Sequence, residues 1–437
     1  MGTSLGPDKE LYERHADEAA FLWSQWERGL VAADDFMDEV AASEDRLLAH
    51  VDALVLGGPS VARMLLVPSL SSEELERVSS SAYVLLSSEL PGGAESVRAS
   101  LEDAPAAVRL GLQRALEVRE REELPSWLLS LLKQDDPMLV ALALEVLASH
   151  GMAPAPALPP LLRHDNPIVR AAALRAACHS PGQLDRSLLP RCLESPDPGV
   201  RDAAIEAGLL GGHGSAWAMC QTIVRQKTES LRLPALLAAL GGQTREIGWL
   251  IALLAEPLHR RDALWALGFS GDPAAAEACL VWMEDEAVAP LAGEAFCAIT
   301  GLQLKERFVL ARPEPNELPP LEDDLDDDCI PQPEDDLPPP SAAQVTAWWR
   351  KESRRFKPGQ RYLYGRPWSP EVLLDALFAA PMRRRTALAL DLRLRSRGVL
   401  SVPVRAFTSH QFAALEVARS ASPATFARPF TATLDGV

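Results

Sequence analysis

Three stretches of this chain begin in the same way. "QDDPMLVALALEVLASHG" starts at Gln134, "RHDNPIVRAAALRAACHS" at Arg163 and "ESPDPGVRDAAIEAGLLGG" at Glu194, with Pro137, Pro167 and Pro198 spaced 30 and 31 residues apart. An Asp or Asn just before the proline can accept a hydrogen bond from the orphan amides of a helix start. Proline in the first helical position gives up only an N–H that would have had no partner there. Weaker copies begin at Glu102, Lys227, Ala255 and Asp285. Anchored on one helix position the register reads Arg109, Val140, Arg170, Arg201, Arg232, Arg260 and Ala292, in steps of 31, 30, 31, 31, 28 and 32. A period near 30 with a fixed start signal restricts the fold to a stacked array.

Between the launched helices lie shorter apolar segments such as "PALPPLLR" and "LDRSLLPRCLE". Each unit therefore holds two antiparallel helices, and because one pair cannot bury both apolar faces, the units stack into a solenoid. Ala and Leu are abundant, aromatic residues make up only 6%, and alternating β-branched runs are nearly absent, so the chain is expected to be all-α. Gly151, Gly208, Gly241 and Gly268 stand where helices should end and are expected to adopt the left-handed conformation of such positions. The "D-P-x-V-R-x-x-A" core resembles the HEAT-like repeats of phycocyanobilin-lyase-type and related bacterial proteins, over roughly residues 101 to 302.

This gives four expected regions. Residues 1–100 form an N-terminal helical cap, 101–311 the HEAT-like solenoid, 312–340 an acidic, Pro-rich linker, and 341–437 a small basic C-terminal helical domain. The charge is unevenly placed: residues 341–437 carry 16 Lys+Arg and 6 Asp+Glu, whereas 1–340 carry 27 and 55, so +10 faces −28 within one chain. An acidic body repels nucleic acid, and the basic tail does not. The linker "RPEPNELPPLEDDLDDDCIPQPEDDLPPP" is either a solvated spacer or a strip that lies along the basic segment and shields it.

That basic segment interleaves Trp348, Trp349, Phe356, Tyr362, Tyr364 and Trp368 with Arg350, Lys351, Arg354, Arg355, Lys357, Arg361 and Arg366. Such a pattern can bind single-stranded nucleic acid, bind an acidic protein, or bury its rings as core while its arginines face water. The last is the expectation, since so many large rings would not stay exposed. "ERHADEAAFLW", the acidic-proline break and "WW…F.PGQRYLYGRPW…L" together resemble a family of bacterial HEAT-like proteins associated with type VI secretion gene clusters. The resemblance spans nearly the whole chain. It implies an accessory protein and supplies no active site.

No HExxH, P-loop, GxSxG or dinucleotide-binding pattern occurs, and the eight histidines include no i, i+4 pair. "GLLGGHGSAW" holds His213 and Ser215 between glycines, a pattern better explained by an inter-repeat turn than by a nucleophile. The six cysteines lack CxxC spacing, so neither zinc nor a disulfide framework is expected, and the compartment is the cytoplasm. "LEDDLDDD" lacks the spacing of a calcium loop. The start of the chain has no signal-peptide pattern, no apolar run is long enough to span a bilayer, and no cofactor is implied.

A solenoid offers a concave surface with one rung per repeat. In the launched helices the rung position is Glu145, Arg175, Glu206, Leu237, Trp265 and Cys297, changing from charged to apolar along the array. With Arg350, Arg354, Arg355, Arg361, Tyr364, Arg366 and Trp368, the first five are the candidate partner-binding residues. Leu237 and Trp265 could equally pack between repeats. The leading expectation is a non-enzymatic protein-binding scaffold or adaptor, an accessory or effector chaperone of type VI secretion whose partner is an effector or a component of the apparatus. The alternative is a nucleic-acid-binding or base-processing enzyme on the same scaffold, which would need a basic concave face.

Overall fold

The computed structural model describes residues 9–87, 90–180, 182, 184, 187–228, 230–310 and 332–435. An Asp or Asn followed by proline launches a helix wherever the repeat places it. Asp136, Asn166, Asp197 and Asp272 accept hydrogen bonds from the backbone N–H of Met138, Ile168, Val200 and Ala274 at 2.9, 2.9, 2.9 and 2.8 Å. The chain is an all-α helical-repeat solenoid. Its N-terminal part comprises α1 (Lys9–Gly29), α2 (Met37–Leu56), α3 (Leu75–Leu85) and α4 (Gly93–Asp103).

The launched helices are α5 (Ala106–Val118), α6 (Pro137–Ser149), α7 (Pro167–Ala177) and α8 (Pro198–Leu210). Only one-turn helices, Leu128–Leu131, Leu158–Leu161 and Leu189–Leu193, separate them. Further on the second helix of each pair grows to full length: α9 (Gly214–Gln226) with α10 (Arg232–Gly241), α11 (Thr244–Leu253) with α12 (Pro257–Leu267), and α13 (Pro273–Trp282) with α14 (Ala289–Thr300). The row α3, α5, α6, α7, α8 packs each helix on the next, so the first hundred residues continue the stack.

Neighbouring repeats are bolted together by the arginines of the register. Arg109 reaches Asp136, the cap of the next launched helix, at 2.7 Å. Arg232 reaches Asp262 at 3.4 Å, Arg260 reaches Asp285 at 3.3 Å, and Arg201 donates to the Ser230 carbonyl at 3.4 Å. Arg170 turns back instead to the carbonyls of His164 and Asp165, at 2.8 and 2.9 Å. One side chain thus both caps a helix and ties two repeats.

The glycines divide differently from the sequence expectation. Gly151 does adopt the left-handed conformation, at φ 67°. Gly208, Gly241 and Gly268 do not; their lack of a side chain permits close approach instead. A Cβ on Gly208 would stand 2.7 Å from that of Ala216, and one on Gly241 would stand 2.3 Å from the ring of Phe430. On Gly268 it would meet the Ala295 backbone at 3.0 Å.

The remainder of the described chain is α15 (Ala342–Glu352), a two-stranded antiparallel hairpin β1 (Tyr362–Leu363) and β2 (Arg366–Pro367), α16 (Pro370–Ala379), α17 (Met382–Arg395) and α18 (Thr408–Ser420). One hydrophobic core runs without interruption from Ala16 to Phe430. Cys178, Cys192, Cys220 and Cys279 lie within it as free thiols, Cys297 is partly buried, and Cys329 lies outside the described residues. Among the described residues no single helix is long and apolar enough to cross a membrane.

The double duty of Asp136 yields a test. Burial pushes its carboxyl up, but the Met138 N–H and the Arg109 guanidinium outweigh that and hold it below its ordinary value. Asp136→Ala should cost about 1–2 kcal/mol, seen as a lower denaturant midpoint. Asp165→Ala, beside a cap and not in one, should stay within about 0.5 kcal/mol of the parent.

Candidate interaction groove

Several of the rung positions meet one another or the chain's own C-terminal part, and these contacts define the candidate groove. Arg175 grips Glu145 of the preceding repeat with Nε and Nη2, Nε lying 2.8 and 3.0 Å from the two carboxylate oxygens. Glu206, the next rung, receives Arg393 of α17 at 2.9 Å. The register extends one step further toward the N-terminus than the sequence reading carried it. Arg114 stands five residues after Arg109, as Glu145 does after Val140. It bonds to Glu27 of α1 and donates to the Arg405 carbonyl. The rungs therefore alternate in sign from Arg114 to Glu206, and the same five-residue offset was the signal that could have found the first of them.

Beyond Glu206 the rungs turn apolar, and α17 covers Trp265. Leu237 is fully buried. The Trp265 ring lies 4.4 Å beneath the Arg383 guanidinium and 5.4 Å from that of Arg384, with Phe269 edge-on at 4.8 Å. Cations over an aromatic face are attracted by the ring quadrupole, more strongly when water is excluded. Trp265 is 8% exposed, so in this conformation it offers no free surface. Arg383 also binds Glu294 of α14 at 3.2 Å and Glu334 at 2.7 Å. Glu334 belongs to the described end of the acidic segment, residues 332–340; its residues 312–331 lie outside the described residues.

The basic aromatic segment splits into two. Trp349, Phe356 and Tyr362 are buried in a chain of ring contacts, with Trp349–Phe356 centroids at 5.2 Å and Phe356–Tyr362 at 4.9 Å. Trp368 lies 3.9 Å from the Arg395 guanidinium, which is itself paired with Asp391 at 2.7 Å. Arg350, Arg354 and Arg355 are exposed, as expected, and Arg355 pairs with Glu352 at 2.8 Å. Arg366 is exposed and meets Asp375 at 2.7 Å.

Arg361 departs from that expectation. It donates to the carbonyls of Ser270 at 2.7 Å, Ala239 at 2.8 Å, Phe269 at 3.0 Å and Leu240. These carbonyls close α10 and follow α12, where helix ends leave acceptors unpaired and carry partial negative charge. Burial pushes the Arg361 guanidinium down to about 10, and the nearby Arg395 adds to the effect. An arginine turns away from water here because four oxygens receive it.

Tyr364 and Gly365 form the hairpin turn, at φ 50° and 78°, the signs of a type I′ turn. Their N–H groups donate to the carbonyls of Ala298 at 2.7 Å and Ile299 at 2.9 Å, capping α14. The two ends of the solenoid also meet. Met382 and Arg383 donate their N–H groups to the carbonyls of Asp35 and Ala32, both at 2.9 Å. The Glu44 carboxylate accepts from Trp26 at 2.8 Å and from the Thr408 hydroxyl at 2.6 Å. Burial raises that carboxyl above its ordinary value, against the pull of the Thr408 hydrogen bonds.

The "GLLGGHGSAW" stretch is an inter-repeat turn around Gly212, at φ 81°. The end of the chain lies on it: Asp435 N–H donates to the Gly212 carbonyl at 2.8 Å.

No protein-family model and no curated protein matches the chain. Among solved structures it is similar to YibA of Escherichia coli, at 14% identity and a TM-score of 0.28, over 68% of this chain and 97% of that one. It is also similar to Kap95p, from work on its complex with RanGDP, at 10% identity and a TM-score of 0.31, over 90% of this chain and 59% of that one. Likenesses this remote carry no argument about this groove.

His179 gives the groove a pH dependence. Its Nε2 lies 3.2 Å from Arg393 Nη2, which requires the neutral ring as acceptor. Burial, then the Arg393 charge, pushes the imidazole down to about 4. Because the folded value lies below the unfolded one, its contribution is complete above pH ~6.5 and disappears as pH falls toward the folded value. The protection factors of the α17 amides, corrected for the slower intrinsic exchange in acid, should therefore fall as pH drops from about 6.5 toward 4, and less so in His179→Gln. Glu206→Arg should loosen α17 by about 1.5–3 kcal/mol, and adding Arg393→Glu should restore most of the protection.

Proposed function

We propose that this chain is a non-enzymatic scaffold whose groove receives a basic helical segment of a protein partner at the place its own α17 occupies. One observation carries the reading. The alternating rungs Arg114, Glu145, Arg175 and Glu206 lead to a helix bearing Arg383, Arg384 and Arg393, and the groove holds that helix by carboxylates and by Trp265. A surface that binds one basic helix has the geometry to bind another, because charge complementarity and the aromatic platform are indifferent to chain connectivity. Capture of the groove by α17 sets the affinity that a partner must exceed, by mass action between the two.

The Arg-aromatic segment supports the same class. Its rings are used as core and Arg361 is committed to carbonyls, which leaves Arg350, Arg354 and Arg355 as an exposed basic strip for an acidic protein surface. Placement beside the type VI secretion apparatus, as an adaptor or effector chaperone in the bacterial cytoplasm, rests on the sequence resemblance alone.

The test is a photo-crosslinking residue in place of Glu145, introduced into the full chain in its native host. A discrete crosslinked protein is expected, and its yield should rise in the Arg393→Glu background, where α17 is loosened. No crosslinked protein in either background, with the fold intact by circular dichroism, would remove the proposal.

A further inference from the structure

Where the two ends of the solenoid meet, they enclose a cavity of about 670 Å³. Its walls come from distant parts of the chain: Phe36 after α1, Leu304 after α14, Leu337, Leu363 of the hairpin, and Val372 and Ala376 of α16. The lining is mainly apolar, and its size lies within the range of small-molecule sites. Among the polar side chains that line it are Arg384 and Tyr364. Arg384 is 2% exposed and spends Nη2 on the Gly268 carbonyl at 2.9 Å. Its Nε and Nη1 are buried with no hydrogen-bond partner, and so is the hydroxyl of Tyr364.

A buried donor left unpaired costs about 1–3 kcal/mol; Arg384 Nη1 has the Glu294 carboxylate at 3.5 Å, and Arg384 Nε and the Tyr364 hydroxyl still call for an acceptor. Burial raises the Tyr364 phenol above its ordinary value, against the pull of the Arg384 guanidinium beside it. Tyr364 is held in a left-handed backbone conformation by its N–H bond to Ala298. Such strain persists where the surroundings fix the residue.

The charges around the wall decide what kind of acceptor fits. Glu294 stands 3.5 Å from Arg384 Nη1 and is also bound by Arg383, which in turn holds Glu334. Two guanidinium groups thus face two carboxylates. At the mouth Arg366 is paired with Asp375, and Lys305 and Asp34 add one charge of each sign. A further negative charge would stand beside Glu294 with no unmatched cation. A neutral carbonyl oxygen would accept the free N–H and O–H donors without that penalty.

We infer that this cavity is a binding site for a neutral acyl compound, its hydrocarbon chain against the apolar wall and its amide or ester carbonyl accepting from Arg384 and Tyr364. The site lies at the far end of the rung ladder, where Cys297 lines it, and occupancy would hold the two ends of the solenoid together. Because Phe36 belongs to one end and α14 and α16 to the other, the bound form should melt at higher temperature than the free one.

Three probes of equal chain length distinguish the chemistry in calorimetry and thermal melting with the full chain: N-methyloctanamide, octanoate and octanol. The amide should bind at least tenfold more tightly than either of the others and should raise the melting temperature. Tyr364→Phe should weaken the amide about tenfold and leave octanol unchanged. Arg384→Met should do the same if it folds; Tyr364→Phe keeps the test decisive if it does not. Equal affinity for amide and octanol would overturn the role of the donors, and tighter binding of octanoate would overturn the neutral head group. No binding of any probe at millimolar concentration would overturn the site. None of these results depends on whether Glu145 crosslinks to a protein partner.

Discussion

Four carbonyl oxygens converge on Arg361, and most of the arrangement of the C-terminal part depends on that convergence. Helix ends in a stack present unpaired acceptors at regular intervals along one edge. A guanidinium with its fork of donors can close two such ends at once, which an ammonium could not match in geometry. Anchored there, the hairpin that follows is set against the end of α14, and α17 is delivered into the groove. The buried cation is tolerated because its oxygens replace water; without them desolvation would cost several kcal/mol.

The uneven charge of the chain then has a structural meaning. The acidic body and the basic tail are complementary parts of one molecule, with Glu27, Glu206, Glu294 and Glu334 meeting Arg405, Arg393 and Arg383. None of these pairs is a lone surface ion pair of negligible worth. Several are shielded from solvent and share partners, and shared partners reduce the entropy lost by each side chain.

The array was legible in the sequence because its signals are local. A cap and a proline act within one turn, so Asp136, Asn166, Asp197 and Asp272 could be read without knowing what surrounds them. A period of about 30 also picked out Glu145 and Arg175, which bind each other, and Glu206 and Trp265, which meet α17. The destination of the tail was not. Nothing adjacent in sequence says that Arg361 will find the carbonyls of residues 91 to 122 positions earlier, or that Gly241 must stay bare to admit Phe430. Glycines 208, 241 and 268 were misread for the same reason: a turn glycine and a contact glycine look alike until the opposing surface is known. The cavity beside Arg384 was equally invisible, being assembled from segments that lie at both ends of the chain.

Synthesis proceeds from the N-terminus, and domains begin to form as they emerge. The rungs from Arg114 to Trp265 are therefore complete while α17 is still to be made. For that interval the rungs of a nascent molecule stand without α17, alternating in charge at one end and aromatic at the other. The tail that closes it arrives last, so the ribosome itself imposes an order in which the receptor surface precedes its own occupant.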